Sequence, residues 1–317
     1  MTEYDEYVDF IIFGDGITSD VLSLVLKNAG KQFYVLGDDK VDQSAESPRS
    51  LALSPSSMNL LEFFGINFPV EKLNKMKVYE SDLSNDKIKS ELIFDNGKTL
   101  SYVTKYYDLK KSLLQETKAH KRKIESKNFS SIELDKDYIK LIIEGGKIIY
   151  SKNIIFTQKI ETTLHSQLNL SYIEKSYNQK AIVATLKHST PHRGIAYQFY
   201  DNGKPLALLP LSKESNFYRS SLIWSLDDYL ADDILLNEDL NDILNLKLGH
   251  LYENIEISEG AISFELDKFL LKGKPDKRLI FIGDSVRMMH PMAGQAWNQA
   301  LRDISYIADA LFESKNL

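Results

Sequence analysis

Two glycines one residue apart, with a small residue three positions on, mark the first place where this chain could do chemistry. Gly14-Asp15-Gly16-Ile17-Thr18-Ser19 is a relaxed form of the G-x-G-x-x-G/A loop that cradles a dinucleotide pyrophosphate. The first glycine permits a tight turn and the second lets a phosphate approach the backbone. The third position needs only a small side chain, which Ser19 supplies. A helix starting behind such a loop offers free N–H groups and a partial positive charge to the anion. The pattern also expects an acid at the end of the next strand, to bond a ribose. Gly37 stands at that position, so Asp38, just beyond it, is the candidate. An ordinary tight turn between a strand and a helix would carry the same glycines.

A second constellation lies near the C-terminus. Gly283-Asp284-Ser285-Val286-Arg287-Met288-Met289-His290-Pro291-Met292-Ala293-Gly294-Gln295-Ala296-Trp297-Asn298-Gln299-Ala300-Leu301-Arg302-Asp303 follows a short apolar run. An Asp at the end of a strand can accept hydrogen bonds from a polyol. A loop through Pro291 and Gly294 can bring backbone N–H groups to a ligand, and a helix starting at Gln295, Ala296 and Asn298 aims its positive end the same way. Arg49, in Ser47-Pro48-Arg49-Ser50-Leu51-Ala52-Leu53-Ser54, could grip a phosphate with its guanidinium fork, or form a surface ion pair. No side chain is assigned as a catalytic acid, base or nucleophile, and no metal site is expected: His290 has no companions at ligand spacing and reads as loop-shaping.

These groups need a scaffold. Val8 to Phe13 reads as a buried parallel strand, Ile17 to Ala29 as a helix ended by Gly30, and Gln32 to Leu36 as a second strand. Together they make a βαβ unit with a right-handed crossover. Ser56 to Phe64 and Tyr107 to Lys121 read as helices. Asp95-Asn96-Gly97-Lys98 reads as a hairpin turn inside a strand-like stretch from Tyr79 to Tyr102, and Gly145-Gly146 as a turn between Ile132 and Ile155. Ala181 to Leu186, Gly194 to Tyr200, Pro205 to Leu211 and Ser221 to Leu226 form a mostly antiparallel middle sheet, followed by a helical stretch from Asp227 to Tyr252. His188 and His192 fall in a polar turn and are expected to be exposed. The strand Arg278 to Ile282 and a helix from Gln295 to Leu311 return to the opening pattern.

Bulk properties narrow the classes. The chain has 317 residues, 39 basic and 45 acidic, for a net charge of −6, so no general nucleic-acid footprint is present. The basic run 118–123 reads as a solvated helix end. With no cysteine, disulfides and thiolate chemistry are excluded. The acidic N-terminus carries no apolar signal core, and no stretch is long enough to span a bilayer, so the expected location is cytoplasmic.

The segment 283–303 resembles the G-D-A-A-H-x-x-x-P-x-x-G-Q-G-x-N-x-G-x-x-D stretch of the FAD-dependent aromatic hydroxylases, the para-hydroxybenzoate hydroxylase-like family. Its His290-Pro291, Ala293-Gly294-Gln295 and Leu301-Arg302-Asp303 are most similar to the ubiquinone-biosynthesis branch, of the 2-octaprenyl-6-methoxyphenol hydroxylase type. The 47–54 segment resembles that family's D-x-R-x-x-A-L-S motif, and the stretch from Tyr177 through Pro210 to Leu211 resembles its substrate-side sheet. The resemblance implies an α/β protein. A discontinuous Rossmann-like FAD/NAD(P)-binding domain would take residues 1–75, 105–175 and 265–317. An inserted mixed or antiparallel β-sheet domain would take 76–104 and 176–264. It implies FAD held by Gly14, Gly16, Ser19, Asp38, Arg49, Asp284, Pro291, Gly294, Gln295, Ala296 and Asn298. NAD(P)H would be the external reductant and a lipophilic polyprenylated phenol the substrate. Pro210 would lie in a loop facing the ring-binding cavity, with Trp224 beside it; taken alone, Trp224 reads as core. Partner proteins of a quinone-biosynthesis complex and peripheral contact with the inner membrane face are further implications.

The chain departs from the pattern at several points. Thr157-Gln158-Lys159 stands where the family has A-D-G, Ala296 replaces the second glycine of G-Q-G, Gln299-Ala300 fills a small-residue step, and Ser285-Val286-Arg287 replaces A-A-H. These changes motivate an alternative, a non-catalytic family member with a weakened FAD site acting as a binding partner.

Overall fold

A computed structural model describes residues 6–38, 47–82, 87–120, 122–201, 203–237, 239–288 and 295–313. Pro291, Gly294 and His290 lie outside the described residues. The nucleotide unit is built on a seven-stranded sheet. Its path runs Arg122–Ile124, Phe33–Leu36, Glu6–Phe13, Ile148–Phe156, Ile139–Ile143 and Phe129–Leu134, with Leu279–Phe281 pairing beside Ile148–Phe156. The pairs at its centre are parallel, as the βαβ reading requires, and the last two strands form an antiparallel meander.

The central strand shows why its end, Phe10 to Phe13, is wholly apolar. Phe10 and Ile12 enter one core with the helices Ile17–Asn28, Pro55–Phe63, Tyr106–Thr117 and Gln295–Glu313. Val8, Ile11 and Phe13 enter a second core under the meander and the short helix Thr162–Gln167. A strand covered on both faces has no polar face to show.

The second unit is an eight-stranded sheet in the order Arg287–Met288, Glu256–Gly273, Leu170–His188, Phe217–Asp227, Lys204–Glu214, Ile195–Asp201, Lys75–Asp82, Lys87–Phe94. Two helices, Asp228–Asn237 and Leu240–Leu248, cover one face. The other face turns toward the nucleotide unit, where Ser221 accepts a hydrogen bond from Ser50 at 2.7 Å and Glu259 holds Lys105 at 2.6 Å. Ser50 belongs to a small third sheet of Ser50–Leu53, Ser101–Lys105 and Glu71–Leu73. No helix among the described residues is long and apolar enough to cross a membrane.

Three local expectations change. The turn at 95–98 forms, with Asp95 and Asn96 accepting from the N–H groups of Gly97 and Lys98, but it joins strands of different sheets. The stretch from Asp227 to Tyr252 divides into two helices, with Asp239 capping the second. The strand Glu256–Gly273 had no counterpart in the sequence reading. Register shifts against Leu170–His188 break its alternation, and many of its side chains meet solvent, so no period-2 signal survives.

Candidate functional site

The glycine loop sits between the first strand and the first helix. Gly14 has φ +122°, and a Cβ there would stand 2.4 Å from Thr157 Oγ1, so only glycine fits. Gly16 is the N-cap of the helix, whose start has no side-chain cap, and a Cβ on Gly16 would meet open space. The loop thus shows bare backbone on one side. Ser19 points the other way: fully buried, its hydroxyl shares a 2.6 Å hydrogen bond with Thr157. It serves helix–strand packing, the role the fingerprint gives that position.

At the end of the second strand, the side chain that closes on Gly37 is that of Asp15. A Cβ on Gly37 would stand 2.7 Å from the Asp15 Cβ. Asp38 is half-exposed and its charge is felt by Lys127.

Arg49 lies across the helix that starts at Tyr106. Its carbonyl accepts from the Tyr106 N–H at 2.8 Å, and its guanidinium lies 4.4 Å from the Tyr106 ring centre and 5.6 Å from that of Phe264. Its charge reaches Asp284. That carboxyl keeps solvent-accessible surface, yet desolvation pushes it up and the Arg49 cation opposes the rise. Tyr106 is buried, and desolvation drives its hydroxyl up to about 12. Arg49, Asp20, Asp15 and the Ile17 amide all act on that hydroxyl, so Arg49 and the glycine loop share one neighbourhood.

The C-terminal helix is docked both by residues that match the family pattern, Gly283, Asn298 and Asp303, and by residues that depart from it, Arg287, Gln299 and Ala300. Gly283, at φ +55°, donates its N–H to Asp303 at 3.1 Å, and a Cβ on it would stand 2.8 Å from the Ala300 Cβ. Arg287 donates to Gln299 at 2.8 Å, so two of the replacements bond each other. Gln295 and Ala296 are exposed in the first turn. Asn298 acts as a brace: its Oδ1 accepts from the Ser54 N–H at 2.8 Å and the Ser57 hydroxyl at 2.7 Å, while its Nδ2 donates to the Ala52 carbonyl at 2.8 Å. Residues 157–159 need no Asp-Gly for their backbone, since none has positive φ. Lys159 leaves the loop altogether, pairing with Glu174 at 2.7 Å and lying over the Tyr172 and Phe269 rings.

The two substrate-side candidates are not where the resemblance put them. Pro210 is buried within the strand Lys204–Glu214, opposite Ser220, and not in a loop. Trp224 packs in the helix-covered core with Ile182, Leu206 and Leu244. Strand alternation puts both on the face turned away from the nucleotide unit, the reverse of the face carrying Ser221, Thr185 and Glu259. His188 and His192 are also buried, contrary to the polar-turn reading. His188 stacks on Tyr252 at 3.9 Å, bonds Ser220 at 2.9 Å and Thr190 at 2.7 Å, and burial lowers it to about 4.

The sequence profile of the FAD binding domain family matches residues 7–316, nearly the whole chain. This chain belongs to that FAD-binding family. Among curated relatives, ubiquinone hydroxylase UbiL of Rhodospirillum rubrum is 25% identical over 190 residues, 59% of this chain and 43% of that protein, less than half its length. The mitochondrial ubiquinone biosynthesis monooxygenase COQ6 of Danio rerio is 24% identical over 375 residues, covering 99% of this chain and 76% of its own. Among solved structures, pqsL, a probable FAD-dependent monooxygenase from Pseudomonas aeruginosa, superposes with a TM-score of 0.76 at 16% identity, over 98% of this chain and 87% of that one, a likeness of fold.

The residues present fit the FAD that defines the family. The open space over Gly16 is a backbone cradle, the uncapped helix start faces it, and Arg49 supplies a cation over the Tyr106 ring, whose hydroxyl meets the Ile17 amide.

Proposed function

We propose that this protein is an FAD-dependent aromatic-ring monooxygenase that hydroxylates a polyprenylated phenol in ubiquinone biosynthesis, with NAD(P)H as external reductant. The observation that carries the reading is the bare glycine loop at the uncapped start of the helix Ile17–Asn28, in a chain of which 99% aligns with 76% of a ubiquinone-biosynthesis monooxygenase. Bound there, FAD would supply the redox chemistry and the activation of dioxygen.

The chain's own residues bind and orient. The loop backbone at Gly14 and Gly16 and the first turn of Ile17–Asn28 receive the pyrophosphate. Arg49 balances anionic charge, and Asp284, whose carboxyl feels the Arg49 cation, accepts hydrogen bonds from the cofactor's hydroxyl groups. The face carrying Ser221, Thr185 and Phe264, which meets Ser50 and Arg49, roofs the site and excludes water from it. No acid, base or nucleophile is required of the protein, in keeping with a site built for positioning. A lipophilic substrate calls for delivery from a membrane surface or from partner proteins of a quinone-biosynthesis complex.

The test is the visible absorption spectrum of the purified protein before and after addition of FAD. Flavin bands that co-purify or titrate in stoichiometrically are expected, followed by NAD(P)H-driven O₂ uptake with a polyprenylated phenol. A folded, colourless protein that ignores FAD would refute the enzymatic reading and leave the non-catalytic relative in its place.

A further inference from the structure

Beneath the glycine loop lies a buried ion pair. Lys110 Nζ donates to Asp20 Oδ2 at 2.6 Å and to the Asp15 carbonyl at 2.7 Å, and the Lys110 and Asp20 side chains are 3% and 0% exposed. Lys110 sits one turn after Tyr106 on a helix face that also buries Leu109 and Leu113, and Asp20 lies among Val21, Leu22 and Leu24. Charges so placed lose their hydration, and such a pair seldom stabilises a fold more than apolar residues of the same volume. Its position suggests a different use. Asp15 is the middle residue of Gly14-Asp15-Gly16, and the peptide joining it to Gly16 is trans and planar. The Asp15 C=O and the Gly16 N–H therefore point in opposite directions. With the carbonyl held inward by Lys110, the Gly16 N–H faces away from the core, the orientation an anion at the loop requires.

We propose that Lys110, neutralised and fixed by Asp20, is a positioning residue for the FAD pyrophosphate: it anchors the Asp15 carbonyl and so aims the Gly16 N–H at the phosphates. The proposal rests on the FAD reading above. The helix Tyr106–Thr117 then supports the loop at two points one turn apart, with Tyr106 at the Ile17 amide and Lys110 at Asp15. Ser19 and Thr157 pin the opposite side. Asp20 balances the lysine's charge, so the loop is held without an unpaired ion next to the ligand.

The experiment is titration of the apoprotein with FAD and, separately, with ADP, which shares the pyrophosphate but lacks the flavin. Melting temperature is recorded for every variant. Lys110→Met alone strands a buried carboxylate and can fail to fold. The informative variant is Asp20→Leu with Lys110→Met, which replaces the pair with apolar groups; it should melt within a few degrees of the parent yet bind both ligands about tenfold or more weakly. Parent-like affinity for both ligands in the double variant would overturn the proposal. A loss confined to FAD would also overturn it, since the effect would then lie at the flavin end. A parent protein that takes up neither ligand would bring down the FAD reading, and this inference with it.

Discussion

Asn298→Ala separates two roles that the sequence merges. The family motif makes Asn298 a cofactor contact, whereas the structure gives its amide to Ser54, Ser57 and Ala52. Truncation would leave the Ser54 N–H and the Ala52 carbonyl without that partner in a partly buried seam; the Ser57 hydroxyl keeps Ser54 Oγ at 2.9 Å. Two orphaned backbone groups at about 1–1.5 kcal/mol each amount to roughly 2–3 kcal/mol. For a chain of 317 residues, the specific unfolding entropy converts this to a fall of roughly 3–5 °C in melting temperature. Differential scanning fluorimetry of the apoprotein measures it. Asn298→Asp keeps the acceptor for Ser54 and should lose about half as much. An Asn298→Ala protein that melts with the parent but binds FAD weakly would refute the brace and restore direct cofactor contact.

Arg49→Met should weaken FAD binding about 10- to 100-fold by removing a charged hydrogen-bonding partner; unchanged affinity in a fluorescence-quenching titration would place the anion elsewhere. Trp224→Phe should cost about 1–2 kcal/mol in urea unfolding and leave FAD affinity and turnover unchanged, because its indole is packed against helices and its N–H finds no acceptor there; a large activity loss at unchanged stability would contradict that placement. His188 titrates at about 4 in the folded protein, below the ordinary 6.5, so the unfolded chain binds more protons between those values. Stability should therefore fall as the pH drops through that window, by on the order of 3 kcal/mol relative to His188→Gln. Parallel pH profiles for the two proteins would show that His188 is not buried as the neutral form.

The sequence by itself determined the elements whose information is local. The run Val8 to Phe13, the glycines after it and the apolar spacing from Ile17 specify a strand, a turn and a helix within a few residues of one another, and the βαβ unit forms as read. Gly14 and Gly283 are legible for the same reason: each occupies a backbone conformation that other residues rarely adopt. Tertiary structure decided what depends on which side of an element faces which neighbour. Pro210 and Trp224 occupy strands the sequence had found, but sheet order and helix cover settled which face met the cofactor side, and a period of two cannot tell one face from the other. His188 became buried because Tyr252, distant in sequence, stacks upon it. Lys110 and Asp20 lie 90 residues apart, and only the packing of two helices beneath one loop brings them together. The sole sequence trace of that pair was a charge on each of two apolar helix faces, which becomes informative once the partner across the interface is known.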